Sequence, residues 1–173
     1  MTMPGIPFVY YGDEIGMKYI PNMPSKEGGF TRTGSRTPMQ WKRGKNAGFS
    51  SGNTENLYLP VDEDGENVED QEKNPDSLLN TMRKLIALRK ATPALSSMGG
   101  IEFLNRNYGG YPLVYTRTCG DDKYLVCLNP LDKDSEFAIG ALDCEVVMQN
   151  SSVKITDEKI ILAPISFAII KIN

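Results

Sequence analysis

Histidine is missing from all 173 residues. With it go the commonest general base near neutral pH and the commonest nitrogen ligand for zinc. Cysteine is scarce: Cys119, Cys127 and Cys144 form an odd set without C-x-x-C spacing. They fall in stretches that read as strands, so buried thiols are expected in preference to a metal site or a redox centre. That usage fits a cytoplasmic location. No apolar run is long enough to span a bilayer, and Met1-Thr2-Met3-Pro4 is not a basic segment leading into an apolar one. An excess of positive charge is lacking too. The formal net charge is -3, which gives no long-range attraction to nucleic acid or acidic membranes. No motif calls for a cofactor.

What is present suits one ordinary domain or two small ones. Gly5-Ile6-Pro7-Phe8-Val9-Tyr10-Tyr11 is almost continuously apolar, as strands buried on both faces of a parallel sheet are. Residues 18–72 show little periodicity and carry Pro21, Pro24, Gly28-Gly29, Gly34, Pro38, Gly44, Gly48 and Gly52. A loop of that length in a compact domain points to a site it covers or to a covering partner. Within it Arg32, Arg36, Trp41, Lys42, Arg43 and Lys45 mix cations with an aromatic ring, but the acidic stretch 62–72 that follows repels phosphate. Asp62-Glu63-Asp64-Gly65-Glu66 lacks the twelve-residue calcium pattern and reads as a solvated turn.

Asn74 as N-cap and Pro75 at the first position predict a helix over residues 75–91. Leu78, Leu79, Met82, Leu85, Ile86 and Arg89 make its stripe, with run 5–11 as the expected partner. Beyond Pro93 the periodicity shortens. Strands are expected near 101–106, 113–118, 124–129, 136–139, 144–149, 151–155, 160–163 and 166–172, separated by Gly, Asn and Asp turns.

Two stretches carry a specific resemblance. Gly5-Ile6-Pro7-Phe8-Val9-Tyr10-Tyr11-Gly12-Asp13-Glu14-Ile15-Gly16-Met17 resembles the eighth barrel strand, and the turn after it, of the α-amylase superfamily. Arg36-Thr37-Pro38-Met39-Gln40-Trp41 with Asn46-Ala47-Gly48-Phe49 is similar to the same region of oligo-1,6-glucosidases, other α-glucosidases and trehalose synthases. Asn67-Val68-Glu69 and Pro75-Asp76-Ser77-Leu78-Leu79 fit the approach to the eighth helix.

The resemblance implies an α+β fragment. Residues 1–95 would be the last strand, long loop and last helix of a (β/α)8 barrel. Residues 96–173 would be an antiparallel β-sandwich C-terminal domain. The parent would act on α-linked glucosides with retention, using carboxylates from strands four, five and seven, which this sequence does not contain. Catalytic residues are therefore expected to be none, and metal ligands none. Asp13 and Glu14 are adjacent and point apart in an extended segment, so Glu14 is read as pinning the turn. Arg36 is the substrate-binding candidate, matching an arginine that pairs with an aspartate behind the pocket for the non-reducing glucose. Trp41 is read as a core or loop anchor before a sugar platform, and Tyr10 and Tyr11 as packing residues.

Three functional readings compete. The first is a non-catalytic fragment of a retaining α-glucoside hydrolase or transglycosylase. The second is a free-standing carbohydrate-binding module around Trp41 and Tyr58. The third is a partner that completes another chain's barrel. The expected partners are an α-glucoside in the complete enzyme, and missing barrel segments or self-association for the fragment.

Overall fold

Turn residues every few positions divide the second half of the chain into short strands, and the computed structural model forms eight of them among the residues it describes, 1–23, 31–105 and 110–173. They are β1 (Gly100–Phe103), β2 (Leu113–Cys119), β3 (Asp122–Asn129), β4 (Ser135–Ala138), β5 (Cys144–Gln149), β6 (Val153–Ile155), β7 (Lys159–Leu162) and β8 (Ser166–Ile172). All pair antiparallel, in one sheet of order β1-β2-β3-β8-β5 and one of order β4-β7-β6. The expected strands are all present, β5 and β8 with the expected bounds. Arg106 and the Asn107-Tyr108-Gly109 turn, like Pro24 and Gly28-Gly29, lie outside the described residues.

By contact the chain divides into two units, Phe8–Lys84 on one hand and Met1–Pro7 with Leu85–Asn173 on the other. In the β-rich unit the larger sheet is a middle layer, so its central strands are apolar on both faces. Val114, Leu125, Cys127, Ala168 and Ile170 pack with Ile160 and Leu162 of the smaller sheet. Tyr115, Tyr124, Val126 and Ile169 on the opposite face pack with Ala94 and Leu95 of a 3₁₀ turn and with Leu85 and Leu88. A bulge between Val146 and Met148 sets Met148 opposite Ile169, so β5 contributes to both faces. Gly120 takes φ 58°, the sign required at the first central position of a type II′ turn, and closes the β2–β3 hairpin.

The cysteine expectation needs correcting at one position. Cys127 is buried and Cys144 half-buried, but Cys119 is exposed. It is the last residue of β2, paired with Asp122 beside the Gly120-Asp121 turn, beyond the residues of β2 that the two cores bury.

In the unit Phe8–Lys84 the described residues form no strand. The expected strand over residues 5–11 is absent, and the segment is exposed, with Ile6 at 78% and Phe8 at 92%. An apolar run becomes a strand only when neighbouring strands accept from its N–H groups and donate to its C=O groups, and among the described residues none pairs with it. The helix stripe accordingly has another partner: Leu79 packs on Ile15 and Met39, while Leu78 stays exposed.

The long region is built from 3₁₀ turns at Thr31–Ser35, Lys45–Gly48 and Thr54–Asn56, and it also contains a helix that its composition hides, α1 (Val68–Lys73). Asn67 caps α1, its side-chain oxygen accepting the Asp70 N–H at 3.0 Å. The next helix, α2 (Leu78–Ala91), starts three residues later than expected. Asn74 terminates α1 and turns its side chain onto the Asp76 N–H, leaving Ser77 to cap α2 through the Asn80 N–H at 3.2 Å. Buried Gln71 joins these parts. Its amide nitrogen donates to the Ile15 carbonyl at 2.8 Å and its amide oxygen accepts the Leu79 N–H at 3.0 Å.

The burial pattern makes the thiols chemically distinct. Burial pushes the Cys127 thiol up to about 12, so at pH 8 only on the order of one in ten thousand is thiolate, the reactive form. Burial, and then the Asp143 charge, also raises Cys144. Mass spectrometry after brief iodoacetamide treatment at pH 8 is expected to find Cys119 modified first and Cys127 modified only after denaturation. Early labelling of Cys127 would contradict the packing of β3.

Candidate functional site

The site begins at a tight turn. Gly12 at φ 93° and Gly16 at φ 68° bracket the 3₁₀ turn Asp13–Ile15. A side chain at Gly12 would run into Met17. The Asp13 carboxylate accepts the Tyr10 N–H at 3.0 Å, and the Glu14 carboxylate accepts the Gly12 N–H at 2.8 Å. Glu14 therefore pins the turn, as expected. Both carboxylates are engaged by their own backbone.

That turn sets the place of Tyr11. Its hydroxyl donates to the Thr37 carbonyl at 3.1 Å, and its ring lies 4.6 Å from that of Tyr10. The two tyrosines pack on each other, yet both stay largely exposed, so the expectation that they are packing residues holds only for the pair. Burial chiefly raises the Tyr11 phenol, the hydrogen bond and charge of Tyr10 add to it, and the Arg36 charge opposes them. Arg36 itself follows the turn Thr31–Ser35, its N–H donating to the Thr33 carbonyl at 3.0 Å.

Downstream, Asn46-Ala47-Gly48-Phe49 acts through backbone conformation. Asn46 (φ 54°), Ala47 (φ 49°) and Gly48 (φ 69°) are successive left-handed residues. Such geometry at a non-glycine costs on the order of 1–3 kcal/mol. Fully buried Asn46 offsets it by donating through its amide to Ser50 O at 3.0 Å and Gly52 O at 2.9 Å, while its N–H reaches the Glu63 carboxylate at 2.7 Å. Gln40 adds a donation to Asp62 O at 2.9 Å. The acidic turn thus serves as an anchor for the loop. Among the described residues no group of three His, Cys, Asp or Glu side chains is placed to hold a metal ion.

The loop forms one wall of an open cavity of about 370 Å³, lined by Tyr11, Arg36, Met39, Phe49, Tyr58 and neighbouring apolar residues. A guanidinium beside aromatic rings can donate to sugar hydroxyls while the rings cover the apolar face of a pyranose. The structure brings Arg36 and Tyr11 together. It does not bring Trp41 and Tyr58 together around this cavity: Tyr58 lines it and Trp41 does not. Trp41 is also not a core residue. The residue is 50% exposed, and the anchoring is done by its backbone, which accepts from Glu69 N–H and donates to Ala47 O. Phe49 was missed as a lining residue, since only the left-handed path before it aims the chain there.

The cationic run does not form a free stripe. Arg43 bonds Asp70 at 2.7 Å and Lys45 donates to Ser51 O. Hydrogen bonds from Asn67 and then Arg43 hold the Asp70 carboxyl below the usual carboxylate range. Asn46→Ala removes two buried donations and is expected to cost about 2–4 kcal/mol, measured by urea denaturation. A loss under about 1 kcal/mol would show that the loop is held elsewhere.

The sequence profile described as "Alpha amylase, catalytic domain" matches residues 1–98. The trehalose synthase/amylase of Mycobacterium tuberculosis is 38% identical over 77% of this chain and 22% of its own length. The glucan 1,6-alpha-glucosidase of Streptococcus pneumoniae is 30% identical over 94% of this chain and 35% of its own. Among solved structures, isomaltulose synthase from Erwinia rhapontici superposes with TM-score 0.71 at 35% identity, over 83% of this chain and 26% of that one. A trehalulose synthase variant superposes with TM-score 0.84 at 26% identity, over 99% and 36%. The chain thus spans between 13% and 35% of the length of the curated relatives it matches. On the profile and these identities together, the chain belongs to the α-amylase family of glycoside hydrolases.

Proposed function

We propose that this chain is the C-terminal portion of a retaining enzyme that hydrolyses or transfers α-linked glucosides, and that it carries no catalytic carboxylate itself. On this reading residues 1–95 are the closing strand, loop and helix of a (β/α)8 barrel, and residues 96–173 a C-terminal β-sandwich domain. The profile match over 1–98 and the antiparallel sheets after it support that division. The observation that carries the reading is the cavity in which Arg36 stands with Tyr11, Phe49 and Tyr58. Arg36 binds the non-reducing glucose there, its fork shared between a carboxylate from an earlier strand and a sugar hydroxyl. Retaining chemistry needs a nucleophile and an acid about 5–5.5 Å apart across the bond. Asp13 and Glu14, in the turn that follows Tyr11, are engaged by backbone N–H groups instead. Three free cysteines support a cytoplasmic setting, and no helix among the described residues is long and apolar enough to cross a membrane.

A second reading is favoured by the exposed run 5–11: a module that completes the barrel of another chain or of a second copy, or that binds carbohydrate by itself. Assay of the 173-residue chain with an aryl α-glucoside is expected to show no turnover. In a protein that also holds the earlier strands, Arg36→Ala is expected to lower kcat/KM by about a hundredfold or more, the scale of a lost charged contact. Turnover by the chain alone would sink the non-catalytic assignment, and an unchanged kcat/KM would remove Arg36 from the sugar site.

A further inference from the structure

Arg117 lies in β2 with no solvent exposure, and among the described residues no carboxylate forms an ion pair with it. Isolated buried charge is costly, so its partners must be found among dipoles. They are all main-chain carbonyls. Nε donates to Gly100 O at 3.0 Å, Nη2 to Ser96 O at 2.6 Å and Gly99 O at 3.1 Å, and Nη1 to Thr2 O. A side chain at Gly99 would collide with the Ala94 carbonyl and this guanidinium, so glycine is required for the approach. Arg89, on the last turn of α2, repeats the arrangement. It donates to Met1 O, to Met3 O at 2.7 Å and to Gly5 O at 2.6 Å. The carbonyls of residues 1, 3 and 5 thus go to one guanidinium and that of residue 2 to the other. Two further bonds hold the same segment: Thr2 Oγ1 with the Tyr115 hydroxyl at 2.6 Å, and Gly5 N–H to Ser97 O at 3.3 Å.

We propose that Arg89 and Arg117 together form a binding site for the main-chain carbonyls of an incoming segment, that residues 1–5 are its occupant, and that this clasp fixes the path by which the chain reaches the apolar run 6–11. All the groups involved lie in the unit made of Met1–Pro7 and Leu85–Asn173. Burial, followed by the charge of Arg89, draws the Arg117 guanidinium below its ordinary range, as befits two cations held close by a shared ligand. The planar fork matters here. Five donors in fixed directions can serve several carbonyls at once, which an ammonium on a flexible stem cannot do. Arg89 and Arg117 are positioning residues, and the inference is independent of the sugar cavity.

The test is ¹⁵N relaxation on the full chain. The Thr2, Met3 and Gly5 amides are expected to have order parameters near about 0.85, as in rigid backbone, and to fall below about 0.6 in Arg89→Met, which keeps the apolar stem. The amides of β3 and β8 are expected to be unchanged. Arg89→Lys, which keeps the charge and loses the fork, is expected to loosen the same three amides. Flexible residues 1–5 in the parent, an unchanged segment in either variant, or equal loosening of β3 and β8 would each overturn the clasp.

Discussion

The antiparallel ladder between β3 and β8, from Lys123 opposite Ile172 to Asn129 opposite Ser166, is the constraint on which the β-rich unit is organised. Its side chains alternate between two different covers, the smaller sheet on one face and Leu85, Leu88, Ala94 and Leu95 on the other. A one-residue slip would exchange the two sets, placing small Ala168 where Ile169 packs. Register is therefore enforced by two cores at once. On the other edge of β3 a second ladder pairs β2 with it and carries Arg117 to its carbonyl ligands.

A different constraint governs the unit that holds the cavity. It has few regular elements, and buried amides take the place of a sheet's hydrogen bonds. Gln71 ties the Asp13–Ile15 turn to the start of α2, and Asn46 ties the left-handed path to the loop around it. Such networks specify one conformation to the extent that their bonds are made; both Gln71 amide atoms are bonded, whereas the buried amide oxygen of Asn46 has no partner among the described residues. They suit a wall that must hold Arg36 and three aromatic rings in fixed relation, where apolar packing alone would leave the loop several arrangements.

The strands were readable because period-two alternation and Gly, Asn and Asp turns are local signals. Glu14 was readable for the same reason, since its carboxylate bonds a backbone group two residues away. The misreadings involve partners distant in sequence or rules that compete. Residues 5–11 have the composition of a buried strand, but burial depends on neighbours, and composition is silent about whether they are there. Asn74 and Pro75 satisfy a helix-start rule, yet the α1 terminus claimed Asn74 and moved the cap to Ser77. Arg36 was visible only through its motif. Phe49 joins it after a left-handed turn that alanine at position 47 does not announce.

The two clasping guanidiniums are satisfied by carbonyl oxygens, a group that every residue supplies alike. Recognition of that kind is blind to side-chain identity. Met1 and Met3 can drift in evolution without altering what Arg89 binds, whereas Gly99 and the two arginines cannot. Neutral variation should therefore collect at Met1 and Met3, while Thr2, bonded through its side chain, and Gly5, at φ 84°, stay constant with the residues that hold them.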